Sequence, residues 1–269
     1  MQPFLRVENL SKLHERRSLA GGREKVRALD GVSFGILPGS TLAVVGESGS
    51  GKSTLASCLA CLEFPTAGSV WFEGTDIVTL GEHARRRIRP QIQLIFQDPA
   101  SSLNFGWCAL EILLEPVILQ GNFNREGMRQ RAASLLERVG LSSDIMKRPP
   151  GELSGGQRQR LAIARALMLE PKLLILDEAL SALDCSVQAQ IANLLLELQN
   201  SLGITYLFIS HDLAMAAHLA DEIAVMHRGR IVEQGPADRI LKHPEHETTR
   251  QLLAAVPKIT SGEQGAPEK

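Results

Sequence analysis

The chain has 269 residues, 44% of them hydrophobic, enough to bury the core of one large domain or two small ones. Its 29 Lys and Arg against 30 Asp and Glu leave a formal net charge of -1, which argues against binding nucleic acid by bulk charge. No apolar run reaches the roughly 18 residues of a membrane-spanning helix, and MQPFLRVENL lacks the charged-then-apolar layout of a secretory signal, so a cytoplasmic location is expected.

FLRVENL reads as the opening strand. TLAVVG is an unbroken apolar run, the pattern of a strand buried on both faces, and STLASCLACL after it is helical. Cys58 and Cys61 form a CxxC on that helix, but no second pair completes a zinc site. With Cys108 and Cys185 the four cysteines form no disulfide framework either, and a structural role is expected. GSVWFEG and IQLIFQ are further strands, separated by the basic cluster RRRIRP, which is expected to face solvent. From Asp98 to about Pro150 the pattern is helical without a convincing strand, as an inserted helical unit would be. LLILDE, TYLFIS, EIAVMHRG and RIVEQG are strands again, the short basic RGR between the last two being read as solvated. Between LLILDE and TYLFIS, the segment SVQAQIANLLLELQNSL places Val187, Ile191, Leu194, Leu195, Leu198 and Leu202 on one helical face. ITSGEQGAPEK reads as a frayed polar tail. Strands alternating with helices imply an α/β fold, a parallel sheet sandwiched by helices.

Gly46-Glu47-Ser48-Gly49-Ser50-Gly51-Lys52-Ser53 fits G-x-x-x-x-G-K-[ST], between a buried strand and a helix as the chemistry requires. Glycines let the loop close around a phosphate with its N–H groups inward, and the helix start adds a favourable dipole. Lys52 is placed to neutralise β- and γ-phosphates and Ser53 to ligate Mg2+. LLILDE ends in Asp177 and Glu178 where ligands of parallel sheets bind. Asp177 would hold the metal and Glu178 would polarise a water, although such a pair also occurs as a plain solvated strand end. Gln97 and His211 close two other strands, and each alone is ordinarily a surface or core residue. LSGGQ, residues Leu153, Ser154, Gly155, Gly156 and Gln157, leads into the helical GQRQRLAIARALML and offers a second anion cradle.

Taken together, Gly46 to Thr54, Gln97, LSGGQ, LLILDE, Ser181-Ala182-Leu183-Asp184 and His211 resemble, in order and spacing, the nucleotide-binding subunits of ABC transporters. The resemblance spans nearly the whole chain. It implies a P-loop NTPase with a RecA-like parallel sheet core, an antiparallel β subdomain and an inserted helical subdomain: about 4–97 and 160–235 for β subdomain and core, about 98–159 for the helical part, about 236–269 for a C-terminal extension of one domain. It also implies two ATPase domains packed head to tail, the LSGGQ of one closing over ATP on the other. Gln97 then contacts metal and attacking water, His211 stabilises the γ-phosphate, and Asp184 communicates between sites. The adenine is stacked by the residue at His14, where an aromatic is usual, and Ala179 stands where many members carry proline. DPASSLN is expected beside a groove that takes a membrane subunit.

The long insertion SKLHERRSLAGGREKVRALDGVSFGI, FQDPASSLN and PADRILKHPEHETTRQLLAAVP are similar to ATPases of bacterial importers for peptides, nickel and opine-like solutes. No cysteine follows Cys185, so the chain is similar to the subunit type without a C-terminal cysteine cluster. His246-Glu247-Thr248-Thr249 replaces the usual His-Pro-Tyr-Thr. The implied partners are two integral membrane permease subunits, a second related ATPase and, indirectly, an extracytoplasmic solute-binding protein, at the cytoplasmic face of the inner membrane. The competing class, a soluble ABC-type ATPase acting on DNA or ribosomes, generally carries coiled coils, a second cassette or basic extensions, and none is visible.

Overall fold

The computed structural model describes residues 3–17, 23–98, 102–121 and 125–255. Its centre is a sheet in the order β10-β9-β3-β8-β7-β6, formed by β3 (Thr41–Val45), β6 (Ile92–Ile95), β7 (Leu173–Asp177), β8 (Thr205–Ser210), β9 (Glu222–His227) and β10 (Arg230–Pro236). All neighbours pair in parallel except β9 and β10. Side chains alternate across a strand, so each unbroken apolar run feeds two cores at once. Ala43, Val45, Leu174, Leu176, Tyr206 and Phe208 belong to one, and Leu42, Val44, Leu173, Ile175, Leu207 and Ile209 to the other.

The first core is covered by helices, here α3 (Ala109–Leu119), α4 (Arg125–Arg138), α5 (Gly155–Leu167), α6 (Cys185–Leu202) and α7 (Leu213–Leu219). The apolar stripe of α6 is buried at Ile191, Leu194, Leu195 and Leu198, whereas Leu202 at its end is exposed. The second core is covered by α1 (Lys52–Leu59) and by a separate antiparallel sheet in the order β2-β1-β4-β5. Its strands are β1 (Leu5–Arg17), β2 (Arg23–Ile36), β4 (Ala67–Phe72) and β5 (Thr75–Asp76). This confirms the expected α/β class with an added antiparallel sheet.

Several local readings change. The described parts of the insertion, residues 11–17 and 23–36, continue the first two strands as a hairpin: β1 and β2 remain paired from Leu5↔Ile36 out to Arg17↔Arg23. Cys61 lies past the end of α1, with φ 56, rather than on the helix. All four cysteines are free, and burial pushes the Cys58 thiol up to about 11. RRRIRP overlaps a short helix, α2 (Glu82–Ile88); Arg86 on it and Arg89 just past its end pair with Glu82, and Arg85 lies 4.2 Å from the centre of the Phe64 ring. Both arginines of the RGR cluster are exposed as expected, and Arg230 Nε also donates to Asp30 Oδ2 at 2.6 Å, joining the edge of the core sheet to β2. The tail ITSGEQGAPEK lies outside the described residues.

The last helices among the described residues are α8 (Ala237–Lys242) and α9 (Glu247–Ala254). Glu233 on β10 anchors α9: its carboxylate accepts from the amides of Glu245 and His246, both at 2.9 Å, and from the Thr249 hydroxyl. His246 caps the helix by accepting from the Thr248 amide at 3.1 Å. Burial opposes ionisation of Glu233, but the Thr249 hydroxyl, the two amides and Arg239 outweigh it and hold the carboxyl below its ordinary value. Glu233→Ala is therefore expected to cost about 2–3 kcal/mol near neutral pH, through lost hydrogen bonds to a charged group. A depressed folded-state value means stability that is present above the unfolded value and lost as pH falls through the folded one. Melting curves of wild type and variant should separate at neutral pH and converge in acid; a constant gap would point to packing instead.

Candidate functional site

The site gathers at the C-terminal ends of β3, β6, β7 and β8. Gly46 leaves β3 where a Cβ would collide with the Met226 carbonyl oxygen, and Gly51, at φ 108, has the Ala28 carbonyl in the same place. These are the positions at which the loop has room only for glycine. Behind the loop the Gly229 amide donates to the Ser50 carbonyl at 2.8 Å, and the Asp30 amide donates to the Gly229 carbonyl at 2.9 Å. The braced loop presents Glu47, Ser48, Gly49 and Ser53 to solvent, while Thr54 on α1 is half-buried.

Lys52 is buried, and its Nζ donates to the carbonyls of Gly46 at 2.8 Å and Glu47 at 2.9 Å. Burial pushes its pKa down, opposed by the carboxylates of Glu178 and Asp177. Asp177, the last residue of β7, accepts from the Ser53 hydroxyl at 3.2 Å. Burial raises its pKa and Glu178 adds to the effect, while the Ser53 hydroxyl and Lys52 oppose it. Glu178 leaves the strand with φ 49, a left-handed backbone that non-glycine residues rarely adopt. One of its carboxylate oxygens lies 3.8 Å from Lys52 Nζ and the other 3.5 Å from His211 Nδ1. Gln97 is exposed, two residues beyond the end of β6, and its Nε2 donates to Ser181 Oγ at 3.4 Å.

The structure thus brings together the loop, Asp177, Glu178, Gln97 and His211. The other expected residues lie apart from that cluster. Leu153 is buried and Ser154 caps α5: its hydroxyl accepts from the Gln157 amide at 3.3 Å while the Gln157 side-chain oxygen accepts from the Ser154 amide at 2.9 Å. Gly155 and Gly156 pack this turn against Leu183 and Val187, where a Cβ on Gly156 would come within 2.8 Å of the Val187 side chain. Asp184 is exposed at the N-cap of α6, so it neighbours the turn rather than the phosphate loop. Among the described hydrogen bonds and ion pairs, none joins residues 153–157 to the loop. His14 stands on the hairpin opposite Val26, with its Nε2 3.8 Å from Glu63. Sequence reasoning missed the part Ser181 plays and the Asp30, Gly229 and Arg230 brace; no local pattern announces either.

A family model described as ABC transporter matches residues 29–181. The chain belongs to that family. The ABC cassette is 45% identical over 259 residues to the "Dipeptide transport ATP-binding protein DppF" of Escherichia coli (strain K12), covering 96% of this chain and 78% of that protein. It is 51% identical over 259 residues to the "Probable peptide ABC transporter ATP-binding protein y4tS" of Sinorhizobium fredii (strain NBRC 101917 / NGR234), covering 94% and 72%. Among solved structures, the dimeric ATP-binding cassette MJ0796 bound to ADP and Pi superposes with a TM-score of 0.77 at 30% identity, over 87% of this chain and 98% of that one. The fold and the ATPase class of the cassette follow from these likenesses. No helix among the described residues is long and apolar enough to cross a membrane.

Proposed function

We propose that this cassette is the ATP-hydrolysing subunit of a bacterial importer for peptides or a related solute. The observation that carries the reading is the clustering of Lys52, Asp177, Glu178, Gln97 and His211 around one phosphate loop, in a chain whose relatives are named for dipeptide and peptide transport. In this reading the loop amides and Lys52 hold the β- and γ-phosphates, and the triphosphate takes over the ammonium that Glu47, Gly46 and Glu178 now share. Ser53, Asp177 and Gln97 would hold Mg2+. The hydroxyl and carboxylate already within 3.2 Å of each other are hard oxygen donors, which suits a cation that keeps several waters and phosphate oxygens. Bound magnesium supplies charge neutralisation across the phosphates. Glu178 orients and polarises the attacking water, and His211 supports the γ-phosphate.

Ser154 and the amides of Gly155 and Gly156 offer a capped helix start to the phosphate of a second protomer, with Asp184 beside them. His14 and Val26 offer an exposed face to the adenine. The same reading divides the chain at about 98–159 into a helical subdomain, although α5 runs across the second boundary. The exposed rings of Phe96, Phe105 and Trp107 supply apolar surface near residues 98–104 for a permease.

Two permease subunits, a second ATPase and a solute-binding protein complete the proposed importer, with this chain peripheral to the cytoplasmic face of the membrane. Affinity capture of the full chain from detergent-solubilised membranes is expected to bring two multi-span proteins and a related ATPase. Recovery of ribosomal or DNA-repair components without them would replace transport by a soluble role.

A further inference from the structure

We propose that Ser181 is a positioning residue for hydrolysis: its hydroxyl decides which end of the Gln97 amide faces the metal and holds the backbone of Glu178. This rests on the roles given above to Gln97 and Glu178.

A serine hydroxyl has one proton, and here it goes to the Glu178 carbonyl at 2.8 Å. The Ser181 amide donates to the same carbonyl at 3.1 Å, closing a single turn. The hydroxyl oxygen is then left only to accept, and Gln97 meets it with Nε2 at 3.4 Å. The chain of donors runs one way, from amide nitrogen to hydroxyl to carbonyl. With Nε2 turned to Ser181, Oε1 is turned from it, and oxygen is the one end of an amide able to bind a hard cation or accept from water. A hydroxyl that pointed its proton at Gln97 would draw in Oε1 instead and expose the useless end.

The second half of the device acts on Glu178. Its left-handed backbone is fixed on both sides, by its amide on the Ile209 carbonyl at 2.9 Å and by Ser181 on its own carbonyl. That anchoring aims the carboxylate between Lys52 and His211. Next along, the Leu180 carbonyl is taken by Gln188 Nε2 at 2.9 Å, so the turn is held independently of the Ser181 side chain. Removing the hydroxyl deletes both side-chain bonds while the backbone turn stays.

Ser181→Ala and Ser181→Thr in the full chain test this. For Ser181→Ala, kcat is expected to fall about 10- to 100-fold, the effect of one or two hydrogen bonds, with KM for ATP within about twofold. ATP affinity measured in EDTA should stay at the wild-type value. Mn2+ affinity of the ATP complex, read by electron paramagnetic resonance, should weaken about tenfold, and Ser181→Thr should restore both quantities. Wild-type kcat and Mn2+ affinity in the alanine variant would overturn the proposal. Failure of threonine to rescue would also overturn it, assigning the loss to turn geometry. Full turnover in Glu178→Gln would remove the underlying roles, a result separate from either.

Discussion

Glu178→Gln is expected to abolish most ATP turnover, by about 100- to 10,000-fold, while nucleotide binding survives and an ATP-loaded dimer accumulates. Glutamine keeps the shape of the side chain and loses its charge and basicity. In the proposed cycle this carboxylate takes the proton from water; it lies just past the end of β7, 3.8 Å from Lys52 and 3.5 Å from His211. The phosphate contacts proposed for the loop amides do not involve it. If the phosphate is what holds a second protomer at Ser154, a chain unable to cleave that phosphate keeps the dimer closed. Phosphate release and size-exclusion chromatography with and without ATP check both halves. Hydrolysis at the wild-type rate would mean that another group is the base.

The second large effect is expected at Lys52. Replacement by Ala should weaken ATP binding about 100-fold or more, since a buried charge-assisted contact to phosphate is lost. Lys52 is also the cation that faces Asp177 and Glu178, two carboxylates in a buried corner. Without it, the approaching triphosphate meets those carboxylates with the one buried lysine ammonium of the loop gone. Equilibrium titration with a fluorescent ATP analogue reads this directly. Unchanged affinity would show that the loop amides and helix start suffice, and that the lysine serves only the chemical step.

The phosphate loop, Asp177 and Glu178 were legible because their requirements are local: glycines where carbonyls crowd the chain, a lysine at a set distance, carboxylates at the end of a strand buried on both faces. The core strands were legible for the same reason, each residue of LAVV and LLIL serving one of two cores. The β1–β2 hairpin was not. Its outer half, Lys12 to Arg17 against Arg23 to Leu29, is rich in charge, and what holds it extended is main-chain pairing across the hairpin, which no apolar pattern announces. Ser181 was visible only as part of a motif, because its importance depends on Gln97, which lies 84 residues away and meets it only in the folded chain. Arg230 is exposed as expected, but its grip on Asp30 was not legible because the two are 200 residues apart in sequence.

Ser154 and Gln157 satisfy each other at the start of α5 in the single chain. The helix start is therefore rigid before anything docks on it, and meeting an anion costs it little further conformational entropy. Association through such a preorganised surface responds to the charge of what arrives and hardly at all to slow local ordering. Under the proposed cycle, protomers would come together and part as sharply as the phosphate between them is gained and lost.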